Sequence, residues 1–177
     1  MMTNSHDSKY RENSYAEICT SPECRKSAFT LLGFTIFPLI IGGISAILSR
    51  TAILDYALLK KPSFAPPSLI FPLVWTILYI LMGIASYTIY ISNSEERTYT
   101  MTLYGMQLVL NFFWSIVFFT LGLHFVAFVI LMLMWLILAA LTWTMRKVSK
   151  VGMSLLIPLF LWTTFAAILN LSVAIMN

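Results

Sequence analysis

Five stretches of this sequence, residues 28–48, 68–91, 100–121, 123–145 and 152–176, contain no Asp, Glu, Lys or Arg. Each is long enough to cross the hydrocarbon core of a bilayer, which takes about 20 apolar residues as a helix. Lipid offers the backbone no hydrogen-bond partners, so only helices and closed barrels can span it. Runs this long are about twice the length of a spanning strand, which leaves helices. The pattern predicts an all-α membrane protein, a five-transmembrane-helix bundle. Only 10% of the 177 residues are charged, against about 25% in soluble domains, and no segment remains for a second folded domain. Residues 1–27 read as a polar cytoplasmic N-terminal tail, and residues 28–177 as the transmembrane domain.

The positive charges set the orientation. Arg25 and Lys26, Arg97, and Arg146, Lys147 and Lys150 fall on one side of such a bundle; Arg50, Lys60 and Lys61 fall on the other. The positive-inside rule then places the N-terminus in the cytoplasm and the C-terminus outside. These cations sit at the ends of apolar runs, where they meet membrane lipids; they form no basic stripe of the kind that binds nucleic acid. The absence of charge inside the spans argues against a proton pump, a voltage sensor or an ion-coupled transporter. It also removes paired carboxylates and hydrolytic triads. Cys19 and Cys24, with only His6 and His124 elsewhere, cannot complete a tetrahedral metal site within one chain, so no metal is expected.

The connector between the first two runs is unusual. Three prolines, Pro62, Pro66 and Pro67, forbid a continuous helix there, and Lys60 and Lys61 hold it at the membrane surface. Yet Tyr56, Leu58, Leu59 and Phe64 are too apolar for a loop that only spans solvent. Such a segment is expected to fold back over the mouth of the bundle as a lid.

Polar and aromatic residues recur at helical spacing, three, four or seven apart, and so share faces. Phe71, Trp75, Tyr79 and Met82 form one stripe, and Gln107, Asn111, Trp114, Ser115 and Phe118 a second. Pro158, Trp162, Ala166 and Asn170 form a third, with Phe165 beside it. Stripes of this kind also serve as ordinary packing, because Trp and Tyr anchor helices at interfaces and Asn or Gln bond between helices. Three that converge would line an aromatic cavity with a few polar groups, suited to a flat, mostly apolar ligand. Pro72 and Pro158 are expected either to bend their helices and open space between them, or to be tolerated in place.

Several of these residues occur in runs that identify a family. Tyr56 and Leu59 precede Lys61-Pro62-Ser63-Phe64-Ala65-Pro66-Pro67, and Phe71-Pro72-Leu73-Val74-Trp75 leads on to Tyr79 and Gly83. Gln107-Leu108-Val109-Leu110-Asn111-Phe112-Phe113-Trp114-Ser115 and Pro158-Leu159-Phe160-Leu161-Trp162-Thr163-Thr164-Phe165-Ala166 follow in order. Over residues 34–177 the chain resembles the TspO/translocator-protein family of tryptophan-rich sensory proteins and peripheral benzodiazepine receptors, as a bacterial member.

The resemblance implies a homodimeric five-helix protein of the bacterial plasma membrane with a sensory or transport role. Its cavity would bind porphyrins (tetrapyrroles), such as protoporphyrin IX or haem, and other flat hydrophobic small molecules. By position, the binding residues are Tyr56, Phe71, Trp75, Tyr79, Asn111, Trp114, Trp162 and Ala166, beneath a lid containing Lys61, Pro62, Pro66 and Pro67. No obligatory cofactor is implied. Some bacterial members promote light- and oxygen-dependent porphyrin breakdown; an enzyme of that kind would use Trp75 and Trp162 as its catalytic residues. A small structural membrane subunit is the remaining alternative. Small residues such as Gly42, Ala46 and Gly105 would let helices of two copies approach closely. The chain departs from the family at Asp55, where many members carry Trp, and at Lys60, which is often acidic. Residues 169–177 lack the Tyr and basic residue of the animal sterol-recognition segment.

Overall fold

A computed structural model describes residues 22–49 and 59–177. The chain divides into two units, Met1–Gly33 and Phe34–Asn177. Among the described residues five helices follow in order: α1 Pro22–Leu48, α2 Ile70–Tyr90, α3 Arg97–Ser115 with a π-helical turn at Ile116–Thr120, α4 His124–Val148 and α5 Lys150–Met176. All five are long and apolar enough to cross a membrane, and no strand occurs among the described residues. Helix α1 begins before the expected span. Pro22 opens it, and proline is favoured there because its missing N–H is one the first turn does not use.

Buried positions recur every three or four residues on each helix. On α4, Ala127, Leu131, Met134, Leu138, Leu141 and Met145 are completely buried. On α5 the same role falls to Leu156, Leu159, Thr163, Ala166, Asn170 and Val173. This 4-3-4-3 spacing keeps one stripe facing the neighbouring helices along the whole span, as in left-handed bundles. Outward positions such as Leu133, Leu136, Leu161 and Ile168 are exposed and apolar, as a lipid-facing surface requires. Trp135 on α4 donates its Nε1–H to Thr164 Oγ1 on α5 at 2.9 Å. Between α1 and α2 the backbones approach closely: a Cβ at Gly83 would lie 2.8 Å from the Phe34 carbonyl oxygen.

The turns follow local chemistry. Gly122 has φ 63°, a left-handed conformation that glycine adopts without penalty, and it ends the π turn before α4. Ser149 caps α5 by accepting the Gly152 N–H at 3.0 Å. Pro72 lies in the first turn of α2, where no intrahelical bond is lost, so the bend considered for it has no cause. Pro158 is well inside α5.

The described part of the connector is tied down at two points. Asn177 accepts the Lys60 N–H at 3.1 Å and donates back to the Lys60 carbonyl at 3.0 Å. Phe64 meets Phe165 edge-on, 6.3 Å between centroids. Turns closed by Ala65 N–H to Pro62 O and Ile70 N–H to Pro67 O, each 3.0 Å, then launch α2.

Candidate functional site

A cavity of about 80 Å³ lies among α1, α2 and the end of α3. Helix α2 supplies Phe71, Pro72, Trp75 and Tyr79, whose spacing places them on one face. Helix α3 supplies Trp114 and Ser115, and the π turn adds Phe119. A π turn holds one extra residue per turn, and here it lets both Phe118 and Phe119 point inward. Phe118 stacks on Trp114 at 5.7 Å, while Phe119 stands edge-on to Phe118 at 4.8 Å. Gly42, Ser45 and Ala46 of α1 form the opposite wall.

The rings form a contiguous system. Trp75 lies 5.6 Å from Tyr79 and 5.8 Å from Trp114, and Phe71 lies 6.0 Å from Trp162. Contacts at these separations each contribute about 0.5–1.5 kcal/mol beyond burial. Among them sit a few polar atoms. The Tyr79 hydroxyl donates to Asn111 Oδ1 at 2.9 Å. That bond fixes the amide, because its oxygen is occupied and its Nδ2–H₂ is left as a donor. Asn111 Nδ2, Trp114 Nε1 and Trp162 Nε1 are all buried with no hydrogen-bond partner among the described residues. An unpaired donor in an apolar interior costs free energy that a ligand's acceptor atom would recover.

Of the residues expected to bind ligand, Phe71, Trp75, Tyr79 and Trp114 line the cavity. Asn111 stands directly behind Tyr79. Trp162 lies behind Phe71, and Ala166 is packed in the cluster that contains Phe71 and Trp114. Tyr56 and Asp55 lie outside the described residues. Lys61, Pro62, Pro66 and Pro67 are not part of the cavity lining; they belong to the tethered segment that precedes α2. The α1 wall was absent from the sequence-derived site. Its signal was the spacing of Gly42, Ser45 and Ala46, which reads equally well as a helix-association patch.

The profile described as "TspO/MBR family" matches residues 34–176. "Tryptophan-rich protein TspO" of Chlorobaculum tepidum is 35% identical over 124 residues, covering 69% of this chain and 78% of that protein. "Tryptophan-rich sensory protein" of Cereibacter sphaeroides is 34% identical over 122 residues, covering 69% and 76%. "Translocator protein" of Ovis aries is 39% identical over 118 residues, covering 65% and 70%.

Proposed function

Because this chain belongs to the TspO/MBR family, as an integral membrane protein with five spanning helices, we propose that it is a receptor or carrier for porphyrins and related flat hydrophobic molecules. The observation that carries the proposal is the ring-lined cavity with three buried N–H donors left unpaired beside it. Aromatic walls suit the faces of a macrocycle, and the donors suit a carbonyl or carboxylate at its edge. The relatives' names, sensory protein and translocator protein, support a sensory or transport role. The cation asymmetry supports a cytoplasmic N-terminus and an outward C-terminus, and the resemblance to bacterial members supports the plasma membrane.

At about 80 Å³ the cavity is well below the roughly 300–1,000 Å³ of a site for a drug-sized ligand. Binding therefore includes an opening step in which rings swing and the tethered connector or the α1 wall gives way. A homodimer is part of the proposal, with the apolar groove beside Gly105, between α1 and α3, as the face that a second copy covers. The test is a titration of purified protein with protoporphyrin IX, reading tryptophan emission. Saturable quenching that weakens in Trp75→Phe and Trp162→Phe is expected, and non-saturable quenching, equal in all forms, would sink the proposal.

The contact of Trp75 with Trp114, and of Trp162 with Phe71, favours one further reading. The indoles of Trp75, Trp114 and Trp162 are oxidisable, and in this reading they take part in light-driven breakdown of the bound porphyrin, with the porphyrin as sensitiser and dioxygen as oxidant. Illuminated in air, the complex should then lose its Soret band faster than free porphyrin does; equal rates would refute this reading.

A further inference from the structure

Where α4 meets α5, a groove of about 740 Å³ is lined by Trp143, Arg146, Lys147, Lys150, Met153 and Ser154. Three cations are gathered here, and they are not equivalent. Lys147 is engaged, its Nζ 2.9 Å from Glu96 Oε1 in the only ion pair found among the described residues. Arg146 is held over the Trp143 ring, 4.8 Å from its centroid. A guanidinium carries five N–H groups, so a ring on one side leaves others able to donate. Neither Arg146 nor Lys150 has an acidic partner among the described residues.

Below this cluster both helices change character. On α4, the face that carries Arg146 and Trp143 continues through Ala139 to Leu136; on α5, the face of Lys150 and Ser154 continues through Ile157 to Leu161. Leu136, Ile157 and Leu161 are exposed. From Lys150 to Leu161 the rise is about 16 Å at 1.5 Å per residue. That is close to half of a hydrocarbon core about 30 Å thick, so the track is one leaflet deep. Trp143, exposed at the polar end, stands where an indole anchors at the membrane interface.

We propose that this groove binds an anionic phospholipid, with its phosphate between Arg146 and Lys150 and an acyl chain along the apolar track. The ligand must be both anionic and aliphatic. A free phosphate or an acidic peptide would use the two cations and leave the track uncovered. A zwitterionic lipid would cover the track, but its own cation opposes the two on the protein. Basic pockets between spanning helices are suited to such headgroups, and the Trp143 stack together with the Lys147–Glu96 pair organises this one before a lipid arrives. The groove lies apart from the aromatic cavity and does not depend on what that cavity binds.

Trp143 reports on the groove directly. The full chain is reconstituted in phosphatidylcholine nanodiscs containing rising, matched fractions of either brominated phosphatidylglycerol or brominated phosphatidylcholine. Bromine quenches indole on contact, and subtracting the emission of Trp143→Phe isolates the signal. Two unpaired cations correspond to about a 30-fold preference for the anionic lipid, so its quenching curve should half-saturate at a correspondingly lower fraction. The preference should vanish in the Arg146→Gln/Lys150→Gln variant, whose two sites are exposed and can change without disturbing the core. Superimposable curves for the two lipids would overturn the proposal. So would a preference that survives the double variant, since that would be general enrichment of anionic lipid around a cationic protein.

Discussion

Replacing Gly42 with alanine tests the α1 wall most sharply. A Cβ there would lie 2.6 Å from Tyr79 Cδ2 and 2.7 Å from Cζ, with Cε2 closer still. Carbon atoms rest about 3.5–4.0 Å apart, so the Tyr79 ring must retreat by about 1–1.5 Å. Its hydroxyl is 2.9 Å from Asn111 Oδ1, so any component of that movement away from Asn111 beyond about 0.6 Å takes the pair out of hydrogen-bond range. Overpacking costs about 1–3 kcal/mol, and a hydrogen bond between spanning helices adds about 0.6 kcal/mol. Together these come to about 1.6–3.6 kcal/mol. Gly43 is the matched control, because a Cβ there meets nothing within 4 Å. Any gain in helix propensity, up to about 1 kcal/mol, is common to both variants and cancels in their difference. Reversible unfolding in mixed micelles should show Gly42→Ala less stable than Gly43→Ala by that sum. Porphyrin affinity should also fall about tenfold or more, because both the Gly42 wall and the Tyr79 ring that line the cavity are altered. Two variants that agree within about 0.5 kcal/mol and bind alike would refute the reasoning.

Asn111→Leu removes the partner of the Tyr79 hydroxyl and one cavity donor, and should weaken porphyrin binding by about 3–30-fold; isothermal titration would show it. Asn177→Leu breaks the reciprocal bonds to Lys60 and should speed porphyrin release about tenfold, as followed by stopped-flow fluorescence; unchanged release would separate the connector from gating. Gly105→Leu fills the groove beside Phe112 and should shift a detergent-solubilised dimer towards monomer in light scattering. Glu96→Gln removes an exposed ion pair and should change unfolding stability by only about 0–1 kcal/mol.

The five spans were legible because an uncharged run of membrane length has few alternatives. The stripes were legible too, since helical spacing dictates which residues share a face. That is why Phe71, Trp75 and Tyr79 fall in one stripe and Asn111 and Trp114 in another, while the joining of the two stripes in one site came from the family resemblance. Three features were not legible. Ile116–Thr120 has the composition of any spanning segment, so nothing local marks it as a π turn. The bond between Asn177 and Lys60 joins residues 117 apart in sequence, and only the packing of α5 beside the connector creates it. Gly42 shows the third difficulty: small residues on a spanning helix permit close approach, but to which partner depends on how that helix is rotated. Here α1 turns Gly42 and Ala46 toward the cavity.

The central claim is that a porphyrin occupies the aromatic cavity bounded by α1, α2 and α3. With 5-fluorotryptophan in place of the chain's five tryptophans, ¹⁹F NMR reads each indole separately, and single Trp→Phe variants assign the lines. Protoporphyrin IX carries a strong ring current, so resonances near it move most. Trp75, Trp114 and Trp162 are expected to shift together and saturably, while Trp135, bonded to Thr164, and Trp143, at the α4–α5 groove, stay in place. Shifts confined to Trp135 and Trp143, or small and equal shifts at all five, would contradict the claim.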